Sequence, residues 1–195
     1  MGLAAHVHSA NPKRPASELD ELTLRRAQRG DSGACTAFVR HYERAVFALL
    51  GRMLAPRGRS AEVEDLAQEV FVRAFGALPR FELDGPARLS TWLLCIASRL
   101  AINELNRKRP TVEPLEQDVA VRGPDAGIDA RQALYRAISL VTPEQQAALV
   151  LREFHGLDDA AIGQALGIKA SAVKARVARA RARMRELMGR EVFDG

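Results

Sequence analysis

The C-terminal segment constrains this chain more than any other stretch. An apolar helical pattern breaks at Gly167-Ile168 and resumes as Ala170-Ser171-Ala172-Val173-Lys174-Ala175-Arg176-Val177-Ala178-Arg179-Ala180-Arg181-Ala182-Arg183. Val173, Val177, Ala180 and Met184 recur at the spacing of one buried helical face, which leaves Lys174, Arg176, Arg179, Arg181 and Arg183 around the remainder. Upstream, Asp158 can cap a short helix whose Ile162, Ala165 and Leu166 point inward, and Gly167 supplies the turn between the two. Helix, glycine turn and basic helix make a helix-turn-helix, which lays its second helix in a DNA major groove. The charges alone would also fit a solvated, arginine-rich terminal helix; the turn and the helix before it favour DNA. Residues near the start of the second helix face the bases most directly, so Lys174, Ala175, Ala178 and Arg179 are the candidate readers, the alanines offering only methyl contacts such as to thymine. Arg176, Arg181 and Arg183 are candidates to grip phosphate or flank the groove.

The rest of the composition points to an all-α chain. Alanine and leucine are plentiful, aromatics are 5% and β-branched alternating runs are scarce. A length of 195 residues with 47% hydrophobic content allows one large domain or two small ones, and a net charge of +5 suits a polyanionic partner without establishing one. Cys35 and Cys95 each fall in an apolar helical pattern and read as reduced core residues; the Cys35/His41 pair lacks the further ligands a zinc site needs, so neither metal nor cofactor is expected. No stretch approaches the ~18 apolar residues of a membrane span, and the N-terminus lacks a signal-peptide core, so a cytoplasmic location without membrane insertion is expected. Asp65 and Glu69 share a helix face, but a solvated or protein-binding face outweighs a pair of catalytic carboxylates. With no phosphate-cradling glycine loop and no nucleophile-base pair, the chain reads as a non-enzyme.

Along the chain, residues 1–16 read as a disordered arm, 17–109 as one helical domain, 110–128 as an acidic linker, 129–190 as a second helical domain and 191–195 as a tail. In the first domain, Ser17 with Asp20 resembles a capping box for a helix carrying Leu19, Leu22 and Ala27. Asp31 caps a longer helix with the stripe Cys35, Phe38, Tyr42, Val46, Leu49, Leu50 and Met53, ended by Pro56-Arg57-Gly58. Ser60 begins a third, with Val63, Leu66, Ala67, Val70, Phe71, Ala74 and Phe75 inward and Asp65, Gln68, Glu69 and Arg73 opposite. After a loop from Phe81 to Arg88, Ser90 caps a fourth helix running to about Arg109, apolar almost all round through Trp92, Leu93, Ile96, Ala97, Leu100, Ala101 and Leu105. Pro110 stops it. The linker sets Glu113, Glu116, Asp118, Asp125 and Asp129 against Arg122. Asp129 then caps a helix with Leu134, Ile138 and Val141, and Thr142-Pro143-Glu144-Gln145 starts another that carries Leu149, Val150 and Phe154 into the helix-turn-helix.

A simple repressor would not need the first domain. Phe81, Arg88 and Trp92 precede or open a helix bearing Arg99, Asn103, Asn106 and Arg107, an aromatic and cationic set suited to stacking on and bonding unpaired bases. The plainer alternative is a core Trp92 with an ordinary basic helix end.

Two segments carry a family resemblance. Asp65-Leu66-Ala67-Gln68-Glu69-Val70-Phe71, followed by Ser90-Thr91-Trp92-Leu93, Ile96-Ala97 and Ala101-Ile102, resembles the promoter-melting domain (region 2) of bacterial extracytoplasmic-function (ECF) sigma factors. Thr142-Pro143-Glu144 through Gly156-Leu157, Ile162-Gly163, Leu166-Gly167-Ile168, Val173-Lys174 and Arg176 resembles their second DNA-binding domain (region 4). The resemblance implies a subunit that binds core RNA polymerase, reads the −35 and −10 promoter elements and helps open the DNA. It implies a polymerase contact at Asp65, Gln68 and Glu69, capture of the melted element by Phe81, Arg88, Trp92, Arg99, Asn103 and Arg107, and duplex reading by the basic helix. It also implies an anti-sigma partner, in many relatives one tied to the membrane, and passage of the acidic linker through polymerase channels. Arg99 stands where many relatives have Asn, and Ala170-Ser171-Ala172 replaces a common Val-Gly-Thr type of start, which bears on base selectivity. A stand-alone helix-turn-helix regulator is the competing reading; it would not need the Asp65–Phe71 surface.

Overall fold

The computed structural model describes residues 18–85, 87–107 and 135–193, with side chains to 186. The expected N-terminal arm, the acidic linker, the capping roles of Ser17 and Asp129, Pro110 and Leu134 lie outside the described residues. Among those described there are seven helices of more than two turns and no strand: α1 (Glu21–Gln28), α2 (Ser32–Leu54), α3 (Val63–Ala77), α4 (Leu89–Asn106), α5 (Pro143–Glu153), α6 (Asp159–Leu166) and α7 (Ala170–Phe193). A further helical stretch covers 135–139. The all-α architecture of two small domains is thus as expected. The last helix runs through 191–193, where the sequence suggested a tail.

Local capping chemistry sets several helix starts. Asp20 accepts from the Thr23 amide at 2.9 Å, Asp31 from Ala34 at 2.8 Å and Asp158 from Ala161 at 2.8 Å. Thr142 and Gln145 form a complete capping box ahead of α5. Two expectations in the first domain need correction. In α1 it is Leu24 and Ala27 that are buried, whereas Leu22 is 69% exposed, because the helix begins at Glu21 and its inward face follows that start. Ser90 is not the cap of α4. The helix begins at Leu89 with Arg88 as its cap residue, two residues earlier than a Ser90 cap would place it, and Ser90 donates its hydroxyl to Glu18 at 2.5 Å while its amide donates to the same carboxylate at 3.2 Å. A distant carboxylate therefore satisfies this helix start.

The first core forms where α2, α3 and α4 meet. Phe38, Tyr42, Val46, Leu49, Leu50, Met53 and Leu54 of α2 are buried, each large apolar side chain contributing about 1.5–3 kcal/mol. Ala67, Val70, Phe71 and Ala74 of α3 and Leu93, Leu94, Ala97, Leu100 and Ala101 of α4 complete it. Cys35 and Cys95 are half-buried free thiols. The 3₁₀ turn Ala55–Arg57 and left-handed Gly58 (φ 69°) end α2, after which Arg59 joins Glu62 to Glu104, tying the start of α3 to the end of α4. Burial alone would raise the Glu104 carboxyl, but hydrogen bonds from Arg107 and Arg59 outweigh it and hold the group below its usual range.

The C-terminal domain packs α5 and α6 against α7 through Leu149, Leu151, Ile162, Ala165, Val173, Val177 and Ala180. Phe154 is 39% exposed and lies outside this core, against the Arg52 guanidinium 4.2 Å from its ring centre. The turn is tight: Gly167 is left-handed (φ 67°), Ile168 donates to the Gly163 carbonyl at 2.9 Å, and a β-carbon on Gly163 would lie 2.7 Å from the Ile168 carbonyl oxygen. His155, in the loop before α6, is buried; burial, with the Arg52 charge nearby, pushes its imidazole down to about 4, so it is neutral at neutral pH.

Gly163→Ala is expected to cost about 1–3 kcal/mol, because the clash is with backbone; a thermal melt no lower than that of the wild type would contradict this. His155 has its folded-state pKa depressed, so the unfolded chain binds the extra proton first. Stability should fall as pH drops from about 6.5 toward 4, and His155→Gln should flatten that slope in melts across this window.

Candidate nucleic-acid interfaces

At ~100° per residue, α7 buries Val173, Val177 and Ala180 and turns Ser171, Ala175, Ala178 and Ala182 to the opposite side. All four of these small residues are exposed. Cations flank the small ridge: Lys174, Arg181 and Arg185 run along one side and Arg179 and Arg183 along the other, all exposed. A helix so shaped can approach a groove floor closely while its edges meet phosphate. The cations differ in their ties. Arg181 is ion-paired to Glu153 of α5, and Arg183 bonds Glu186 at 2.9 Å. Arg176 is half-buried and sits near Glu144, away from the ridge.

The second set lies on α4 and the loop before it. Phe81 and Trp92, both half-buried, stack with ring centres 5.2 Å apart. Trp92, Arg99 and Asn103 fall on one side of α4, and the last two are exposed. Two other residues of the set are engaged elsewhere. Arg88 lies 3.3 Å from Glu18, and Arg107 is the non-helical C-cap residue, bonded to Glu104 at 3.3 Å. A cavity of about 300 Å³ opens between the start of α1 and this loop, lined by Glu18, Leu24, Phe81, Leu83, Asp84 and Arg88 among others.

A third surface is the outer side of α3, where Asp65 and Gln68 are exposed and Glu69 pairs with Arg73 at 2.6 Å. Val72, not singled out from the sequence, lies one turn further along the same side and is 66% exposed. An apolar residue standing in a polar helix face was the signal available for it.

The domains that carry these surfaces are in contact, with α6, its turn and α5 lying against α4. The Cys95 thiol donates to the Ala165 carbonyl at 3.0 Å, and a β-carbon on Gly167 would lie 3.6 Å from Arg99 Nη2. Asn106 donates to Glu144 at 3.0 Å. Burial by itself would raise the Glu144 carboxyl; the Asn106 bond, with local helix-start bonds and Arg176, overcomes that and lowers it. The fully buried Gln146 donates to the carbonyls of Arg52 at 2.6 Å and Met53 at 3.1 Å and accepts from Arg57, which also donates to the Val141 carbonyl at 2.6 Å. Of these seam residues only Arg99 and Asn106 figured among the functional candidates, since periodicity reads which face is polar and not what meets it. Among the described residues, no group of three or more His, Cys, Asp or Glu is placed to hold a metal ion, and no helix is long and apolar enough to cross a membrane.

Comparison with known proteins adds three kinds of relation. The family model for Sigma-70 region 2 matches residues 38–111 and that for Sigma-70, region 4 matches 131–184. The ECF RNA polymerase sigma factor SigC of Mycobacterium tuberculosis is 31% identical over 160 residues, covering 80% of this chain and 83% of that protein. The RNA polymerase sigma-H factor of Pseudomonas aeruginosa is 28% identical, covering 84% and 91%. In fold, the chain is similar to CnrH as solved in complex with the cytosolic domain of CnrY, with a TM-score of 0.63 and 23% identity over 86% of this chain and 96% of that one. Two sigma-region matches in order, together with relatives aligned over most of both chains, place the protein in the ECF family of RNA polymerase sigma factors.

Proposed function

We propose that the three surfaces divide the work of promoter recognition. As a sigma factor, the chain directs RNA polymerase to promoters. In this reading α7 enters the major groove of the −35 element, with the Ser171–Ala182 ridge toward the base edges, Lys174 and Arg179 reading, and Arg181 and Arg183 at phosphate. The Phe81–Trp92 stack, Arg88 and the Arg99–Asn103 side of α4 take the opened −10 strand, and the cavity beside that loop has room for a single base. Arg107 contributes charge at the end of the same helix. Asp65, Gln68 and Glu69, with Val72 among them, meet core polymerase.

The observation that carries this reading is the profile of α7, a small-residue ridge between two rows of cations on a rigidly turned helix. Membership of the family adds an anti-sigma partner as the expected regulator, and the chain acts where polymerase and promoter are, in the cytoplasm. Sigma factors are transcription regulators, and we assign no catalytic step to the chain.

Run-off transcription with core polymerase across a promoter library tests the proposal, since a stand-alone regulator would bind duplex yet never support initiation. Within that assay Arg179→Ala should lose discrimination among −35 sequences, costing about 1–3 kcal/mol at the cognate site. Arg183→Ala should instead weaken all sequences alike and lower the salt slope by about one. Equal loss of specificity from both would defeat the assignment. Gln68→Ala combined with Asp65→Ala should weaken pull-down of core polymerase at least tenfold while leaving duplex binding by the chain alone unchanged; unaltered polymerase binding would remove α3 from the interface.

A further inference from the structure

Helix α1 and the residues leading into it carry nothing assigned above to DNA or to polymerase, yet both ends of the strand-reading loop are tied to them. Where the loop leaves Phe81, the Gln28 amide donates to the Leu78 carbonyl at 3.1 Å and to the Phe81 carbonyl at 2.8 Å. Where the loop enters α4, the Glu18 carboxylate accepts from the Ser90 hydroxyl at 2.5 Å and the Ser90 amide at 3.2 Å, and lies 3.3 Å from Arg88 Nε. The Tyr42 hydroxyl donates to the same carboxylate at 3.2 Å and accepts from the Leu19 amide at 3.0 Å. Tyr42 is buried in the first core; burial, with the Glu18 charge, raises its phenol well above the usual range, so the hydroxyl stays a donor.

Two features give these ties their weight. Arg88, the residue before α4, makes no side-chain cap bond, so the Ser90 amide in the first turn is satisfied by Glu18. Between the ties lies the cavity of about 300 Å³, with Glu18, Glu21 and Leu24 on one wall and Leu83, Asp84 and Arg88 on the other. Apolar contact between α1 and the loop is interrupted there, and the polar ties at its two ends set the width of the opening. α1 is itself fixed against α2, with Leu24 and Ala27 buried, so it can serve as a rigid back.

We infer that Glu18 and Gln28 are positioning residues for promoter opening, bracketing the loop after Phe81 from both ends so that Arg88 and the Phe81–Trp92 pair stand at the spacing that receives the unpaired −10 strand. The inference rests on the assignment of that strand to this loop made above. Glu18 acts through its neighbours and not on DNA: a carboxylate has about four acceptor sites, and four donors from Ser90, Arg88 and Tyr42 already meet it. Its charge would also repel phosphate. Glu18→Gln keeps the shape but leaves one acceptor oxygen for those donors, and Gln28→Leu keeps much of the bulk while removing both N–H donors.

Binding of the holoenzyme to two probes separates positioning from general stability. One probe is a fork-junction promoter with an unpaired −10 strand; the other is a duplex carrying only the −35 element. Glu18→Gln and Gln28→Leu should each weaken the fork probe about tenfold while leaving affinity for the −35 duplex and for core polymerase unchanged. In a double-mutant cycle the effect of Glu18→Gln should shrink once Ser90→Ala is present, a coupling that plain destabilisation does not produce. Unchanged fork binding by either folded variant, or an equal loss on both probes, overturns the bracket. If one variant does not fold, the other decides on the same pair of probes. Failure of the underlying reading shows separately, because Arg99→Ala would then also leave the fork probe untouched; with the reading sound and the bracket wrong, Arg99→Ala alone weakens it.

Discussion

Helix α4 is the constraint on which the rest of the structure depends. A helix apolar on most of its circumference must be covered on most of it. α2 and α3 cover one part, burying Leu93, Leu94, Ala97, Leu100 and Ala101 in a common core. The Glu18 carboxylate satisfies its first turn, and the Arg59 bridge to Glu62 and Glu104 anchors its last. What remains uncovered by the first domain receives α6 of the second. The same helix thus supports a core, presents the candidate strand-reading residues and serves as the docking platform for the duplex reader.

The two kinds of contact differ in chemistry, and the difference has consequences for docking. Within each domain the helices meet through leucine, valine, alanine and phenylalanine, and separating them would expose apolar area at about 25 cal/mol per Å². Across the seam the hydrogen-bonded ties are an amide, guanidinium groups, carbonyls and a carboxylate, set beside apolar packing that is continuous between the domains. Such groups exchange partners with water at little net free energy when they part, yet they reject a misaligned docking because each unmatched polar atom is penalised. The polar ties of this seam therefore favour one arrangement of the two domains.

Much of the fold was legible in the sequence because short-range rules govern it. Asp31, Asp158 and the Thr142–Gln145 box announced their helices, and Gly167 announced the turn, since capping and left-handed backbone need particular side chains within a few residues. The stripes of α2 and α3 followed from a 3.6-residue period. Misreadings arose where local signals compete. Leu22 and Leu24 both suit a helix face, and only the observed start at Glu21 and the packing against α2 turned Leu24 inward. Ser90 looked like a cap, but a carboxylate distant in sequence was available and held the helix start instead. Ties such as Arg88 to Glu18 and Arg107 to Glu104 were likewise not legible from charge along the chain.

By itself the sequence determined the all-helical character, the capped starts, the basic helix behind a glycine turn and the family resemblance, all of which depend on side-chain type and spacing along the chain. Tertiary structure alone decided which cations are engaged, with Arg181 drawn to Glu153 while Lys174 and Arg179 remain exposed beside the ridge. It also decided that Gln146 is buried, that Glu18 satisfies α4 and that α6 docks on α4. The physical reason is that a polar side chain's partner is chosen by distance in space, and a period along the chain carries no record of that distance.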